Sequence, residues 1–232
     1  MFLILGIFFF LSGRAQQQVK EFNDCAVEML NVHDSLAAID YFSRVIAVNP
    51  SDSMAYFDRA FIKENIGDYS GALEDYTKQI EVDRYNVDSY FLRGLLKLKL
   101  KDYYGAIKDF DKVTELEPSN VDAIYKRGIA KAALTDFESA LDDYRQALNM
   151  NPYYSDVFAS RAIVKEEGED MKGAVQDIDK AIELDSGNKE YYLYRAKLEL
   201  ESRQKQKACF DLEKYKVLGG NLSDPKLSKS CK

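Results

Sequence analysis

One step length, 34 residues, governs this sequence from near its start to near its end. At that step Ala38, Ala72, Ala106, Ala140, Ala174 and Ala208 fall in register. A second column holds small residues at Ala26, Ala60, Gly94, Gly128, Ala162 and Ala196. A third holds large ones at Phe22, Tyr56, Tyr90, Ile124, Phe158 and Tyr192, and a fourth at Phe42, Tyr76, Phe110, Tyr144, Ile178 and Leu212. Pro50, Pro118 and Pro152 close three units, with Arg84 and Ser186 at the same place in two others. No residue is inserted anywhere between them. A sequence that repeats itself at this step encodes one supersecondary unit many times over, and such units stack because none buries its apolar face alone.

Each unit reads as helix, turn, helix. Ala106, Phe110 and Val113 follow one another at i, i+4 and i+7, the spacing of one helical face. Turns such as "IGDY" at 66–69 separate segments of about 13 residues, an ordinary length for globular helices. Small residues in the middle of the first helix and at the start of the second let the two backbones approach closely. Only four prolines and twelve glycines are spread over 232 residues, which suits an all-helical chain.

The stretches "YFLRGLLKLKLKDYYGAIKDFDKVTELEP" (90–118) and "IYKRGIAKAALTDFESALDDYRQALNMNP" (124–152) resemble the tetratricopeptide repeat family. That family's 34-residue unit places a small residue amid its first helix, A-x3-F in its second and Pro at its close. This chain departs from it by Arg where Leu is usual before the small residue, and by an aromatic or Ile for Trp. The resemblance covers 19–217 and implies an all-α, right-handed α-α superhelix (solenoid) of about six units. Their bounds lie near 19–52, 53–86, 87–120, 121–154, 155–188 and 189–217, with a C-terminal tail at 218–232.

Two charges recur where apolar residues are expected. Arg59, Arg93, Arg127, Arg161 and Arg195 keep the step, and so do Asp75, Asp109, Asp143, Asp177 and Asp211. The first unit has Cys25 and Tyr41 at those places, so both charges vanish together. Pairing within a unit matches all ten charges, whereas pairing to the following unit orphans Asp211 and sets Arg59 against Tyr41. A buried charge is costly without its partner, and the planar guanidinium grips a carboxylate at two points. The ladder is therefore expected to be structural, setting the angle between the helices of each hairpin.

Chemistry is sparse. The net charge is −7 with no cluster of Lys or Arg, so nucleic acid is not an expected partner. No phosphate loop, nucleophile elbow or metal-ligand spacing occurs, and no cofactor is expected. His33, the only histidine, falls in a turn without a nucleophile or ligand beside it. The chain reads as a non-enzyme.

The opening "MFLILGIFFFLSGRAQQQ" holds an apolar run, Phe2–Leu11, that as a helix spans only about 15 Å of a ~30 Å hydrocarbon core. It fits a signal peptide at 1–15, with an uncleaved apolar anchor as the alternative and no stable transmembrane span in either case. Export into the periplasm or envelope is the expected location. An oxidising compartment leaves Cys209 and Cys231 either bonded or free, with Cys25 left over as a structural thiol. The ending "ACFDLEKYKVLGG" with its late Cys looks like that of small secreted bacterial repeat proteins.

The family resemblance further implies that the first helix of each unit lines a concave groove. Transferred by position, the groove takes Phe57, Phe91, Tyr125, Ala159 and Leu193 from one column, and Phe61, Leu95, Ile129, Ile163 and Lys197 from another. Met54, Asp88, Asp122, Asp156 and Glu190 come from a third. The candidate partner-binding residues are thus Phe57, Phe61, Asp88, Phe91, Leu95, Asp122, Tyr125 and Ile129. The Lys/Asn carboxylate clamp of some family members is missing. An apolar floor with an acidic rim suits a protein or peptide segment with apolar anchors and basic flanks. The expectation is a binding scaffold, with a chaperone for exported unfolded chains as the alternative, and with coverage of the floor by the chain's own side chains or tail as the alternative to a free groove.

Overall fold

The computed structural model describes residues 2–222, 227 and 231, with side chains from residue 13 onward. Most of the expected signal segment's side chains and most of the tail lie outside these. The chain forms two compact units, Met1–Pro118 and Ser119–Lys232. The first contains α1 (Phe2–Asn31), α2 (Ser35–Val48), α3 (Ser53–Asn65), α4 (Tyr69–Val82), α5 (Val87–Lys99) and α6 (Tyr103–Leu116). The second contains α7 (Val121–Ala133), α8 (Phe137–Met150), α9 (Ser155–Glu167), α10 (Met171–Leu184), α11 (Lys189–Glu201) and α12 (Lys205–Val217). All regular structure among the described residues is helical, as expected. In both units each odd-numbered helix packs chiefly on the even-numbered one that follows, and hairpin then packs on hairpin.

The turn inside every hairpin is the same device. One residue takes positive φ: His33 (62°), Gly67 (86°), Lys101 (64°), Thr135 (60°), Glu169 (63°) and Arg203 (59°). The next residue's N–H then bonds five residues back, as in Asp68 to the Lys63 carbonyl at 2.8 Å and Asp102 to the Lys97 carbonyl at 2.8 Å. This satisfies a carbonyl that the ending helix would otherwise leave open. In all but the last hairpin that next residue is an Asp whose carboxylate caps the next helix: Asp68 accepts from Gly71 N–H and Asp102 from Gly105 N–H, both at 3.0 Å. A single aspartate thus closes two helix ends, which is why the turns need no extra residue. His33 is one of these left-handed turn residues.

The columns explain the packing. All six alanines of the first column are fully buried, as are Tyr76, Phe110 and Ile178 of the aromatic column. At Gly94 and Gly128 a Cβ would come within 2.9 Å of Phe110 Cε1 and 2.7 Å of Tyr144 Cε1. The missing side chain makes room for the ring opposite. Leu96, Val113, Leu198 and other fully buried side chains complete the cores of the two units.

Thr135 is β-branched and held left-handed, a conformation costing an L-residue about 1–2 kcal/mol. Thr135→Gly is expected to raise stability by roughly 1 kcal/mol in chemical unfolding, after the entropy that glycine adds to the unfolded chain.

Candidate functional site

In each of the five later hairpins the arginine meets the aspartate sixteen residues on. Arg59 donates from Nε and Nη2 to the two oxygens of Asp75 at 2.8 and 2.6 Å, and Arg93 does so to Asp109 at 2.9 and 2.6 Å. Arg127–Asp143, Arg161–Asp177 and Arg195–Asp211 repeat the fork. The five aspartates are buried and the guanidiniums nearly so. Where an aromatic holds the third column, the guanidinium also lies near its ring, as Arg161 does 5.4 Å from the Phe158 centroid. In the first hairpin Tyr41 takes the aspartate's place, 6.5 Å from Phe22 and with Arg44 over its ring.

The pair has a third member that sequence reading missed. One turn after each arginine a lysine reaches the same aspartate: Lys63 on Asp75 at 2.8 Å, and Lys97, Lys131 and Lys165 on Asp109, Asp143 and Asp177 at 2.7 Å each. Its 34-residue recurrence was there to be read, but a lysine on a helix looks like a solvated side chain. The last hairpin breaks the series. Glu199 stands in the lysine's place, buried, with Oε2 lacking a hydrogen-bond partner. Burial, then the charge of Asp211, pushes its carboxyl above the ordinary range.

Some arginines also reach back to the preceding hairpin. Arg59 Nη1 donates to Ser43 Oγ at 2.9 Å, Arg93 Nη1 to Thr77 Oγ1 at 3.0 Å, and Arg195 Nη1 to Asp179 Oδ1 at 2.7 Å. The residues receiving these bonds keep the 34-residue step.

The eight groove candidates divide between the two units. In the first, Phe61 on α3 is 51% exposed and Met54, two turns before it, is 56% exposed. Phe57, Phe91 and Leu95 are half-buried and Asp88 is exposed. Phe57 and Phe91 keep one edge in the core, with ring centroids 6.1 Å from Tyr76 and 5.9 Å from Phe110. Asp58, between Met54 and Phe61, was not anticipated; burial and then Asp52 hold its carboxyl above the ordinary range.

In the second unit the three candidates on α7, Asp122, Tyr125 and Ile129, are engaged by neighbouring side chains. Tyr125 is only 6% exposed, and its hydroxyl lies 3.0 Å from Ser160 Oγ. The ring of Tyr154 packs 5.2 Å from that of Tyr125, and its hydroxyl donates to Asp122 Oδ1 at 2.6 Å. Tyr191 donates to Asp156, and its own hydroxyl pKa is pushed up to about 12 by burial, then by that bond. Ile129 packs against the core made by Ile124, Tyr144 and Val164. Around α7 the floor is filled by side chains of the same chain, whereas on α9 Ile163 is 48% exposed and lines a cleft with Ala159, Leu193 and Tyr194.

Near the C-terminus the structure joins Cys209 to Cys231, with Cα atoms 5.4 Å apart, and Cys25 is half-buried. Among the described residues no helix is long and apolar enough to cross a membrane, and no group of three or more His, Cys, Asp or Glu could hold a metal ion.

Two family descriptions of the tetratricopeptide repeat match, over residues 87–120 and 125–189. These stretches are tetratricopeptide repeats. Such repeats serve as protein-interaction modules. Among solved structures, the chain is similar to MamA at 19% identity, with a TM-score of 0.70 over 74% of this chain and 93% of that one. It is similar to YrrB, described as a TPR protein with an unusual peptide-binding site, at 20% identity and a TM-score of 0.62 over 81% and 95%. PilF of Pseudomonas aeruginosa aligns at 16% identity and a TM-score of 0.69 over 90% and 95%. These likenesses are of fold. No curated protein matches the chain.

Asp143→Ala leaves Arg127 and Lys131 facing a buried gap and is expected to cost about 3–5 kcal/mol in chemical unfolding. Arg127→Leu with Asp143→Leu is expected to recover much of that, so a double-mutant cycle reads strong coupling. Glu199 makes stability depend on pH. Its raised folded pKa means the folded chain holds a proton that the unfolded chain releases, so stability falls as pH rises from the ordinary Glu range through the raised value. Glu199→Gln is expected to raise the thermal midpoint at neutral pH, with the gain shrinking as pH is lowered through that window.

Proposed function

We propose that the chain is a non-catalytic interaction scaffold and that its docking surface is the first-helix face of the first unit. The observation that carries this is the patch on α3 and α5. Two large apolar side chains, Met54 and Phe61, stand more than half exposed beside the half-buried Phe57, Phe91 and Leu95. Surface groups of this kind, rimmed by charge, mark interaction sites. Asp58 and Asp88 make the rim acidic. The complementary occupant is a peptide or helix of a partner protein bearing apolar anchors and basic flanks. The description of YrrB as a peptide-binding repeat protein supports a role of this class. In the second unit Tyr125 and Tyr154 cover the corresponding face of α7.

The location we propose is the bacterial envelope. The Cys209–Cys231 bond supports an oxidising compartment, where such bonds persist. The apolar N-terminal run supports export.

Met54→Glu with Phe61→Glu changes exposed side chains and spares those that anchor the core. Affinity capture from envelope extract is expected to recover one or two partners at defined stoichiometry with the native chain, and at least tenfold less with the double variant. Capture unaffected by the substitutions overturns the placement of the site. Suppression of aggregation of unrelated unfolded clients, without a stoichiometric partner, replaces the scaffold by a chaperone.

A further inference from the structure

The ion cluster is complete in four hairpins and incomplete in the last. In those four, an ammonium from Lys63, Lys97, Lys131 or Lys165 sits 2.7–2.8 Å from the second oxygen of the buried aspartate. In the last hairpin that place belongs to Glu199, 6% exposed, with Oε2 unpartnered. Around it lies a cavity of about 480 Å³, a size within the range of small-ligand clefts. Its charged lining is Asp179, Glu199 and Asp211 against Arg195 and Lys207: three carboxylates to two cations, one negative charge in excess. Arg195 is already spent, bonded to Asp211 through Nε and Nη2 and to Asp179 through Nη1. Val175 and Phe210 add apolar wall.

We infer that this cleft binds a primary ammonium carried on an aliphatic stem, supplied by another molecule in place of the absent lysine. The nitrogen bridges Asp211 and Glu199, where it restores the missing ion pair and gives Glu199 Oε2 a donor. The stem lies against Phe210 and Val175. A guanidinium suits the place less well, because Arg195 already holds the two-point edge of Asp211. An anion meets excess negative charge. The lysine side chain of a partner and a free alkylamine share this chemistry.

The test is calorimetric titration of the full-length, oxidised protein with n-butylammonium, with the blocked peptide acetyl-Gly-Lys-Gly-amide, and with the same peptide acetylated at Nε. Saturable one-to-one binding of an amine, weakened at least tenfold by acetylation, is the expected result. A peptide at least tenfold tighter than butylammonium assigns the site to a protein lysine, and equal affinities assign it to a free amine. Glu199→Lys supplies the ammonium from within and is expected to abolish binding while raising the thermal midpoint. Glu199→Gln, which keeps shape and removes charge, is expected to weaken binding about tenfold and keeps the test decisive should Glu199→Lys fail to fold. Absence of saturable binding by either amine, or undiminished binding by both variants, overturns the site. Neither variant alters Met54 or Phe61, so the outcome is read separately from the docking surface of the first unit.

Discussion

Everything regular about this structure hangs on a carboxylate that is buried and yet never alone. Asp75 and its four successors lie beneath an arginine fork, and four of them also carry a lysine. Removing charge from water is expensive, and the pair contributes little net stability over well-packed apolar groups. Its value lies in geometry. A fork on two oxygens has one good orientation, so the helix carrying the arginine and the helix carrying the aspartate are held at one rotation. The remaining guanidinium nitrogen of Arg59, Arg93 and Arg195 then reaches the hairpin before. The same side chain sets the angle within a hairpin and ties it to its neighbour. Apolar packing alone, with alanines and rings on both sides, tolerates sliding that these bonds do not.

The turns supply the complementary constraint along the chain. An aspartate that accepts from the next helix while its own N–H closes the last one leaves no slack, and the left-handed residue before it reverses direction in one step. Only Gly67 among the six such residues within the hairpins is a glycine. His33, Lys101, Thr135 and Glu169 bear strain that the double closure holds in place. Rotation fixed by the ladder and length fixed by the turn together keep the 34-residue register without a single insertion.

That register is why so much was legible beforehand. Columns of Ala38, Phe42 and Ala26 and their repeats report burial directly, and the joint loss of Arg and Asp in the first hairpin was enough to choose pairing within the unit. What escaped notice lies where a residue serves against its type. Lys63 and its successors read as solvated because lysine usually is. Tyr154 occupies the column that Asp52, Asn86, Asn120 and Asn188 use to cap a helix. It makes no side-chain cap there, and instead lays its ring on Tyr125 and its hydroxyl on Asp122. No periodicity reveals that exchange, since it is a departure from the period, and it covers the face of α7 that the neighbouring columns had promised.

Departures also concentrate at the end of the second unit. Gln204 stands where the other hairpins have an aspartate, and α12 begins without a side-chain cap. Glu199 stands where four others have lysine. A helix with a weaker start and an unbalanced carboxylate beneath it is the least self-sufficient of the series. It is also the one stapled, through Cys209, to a residue 22 positions later, a closure that restrains the unfolded chain by about 3 kcal/mol. Such a covalent tether allows α12 to forgo local stabilisation that the other helices cannot do without. The positions freed in this way, Glu199 above all, are then open to serve something outside the chain, and a repeat protein becomes specific where its own repetition fails.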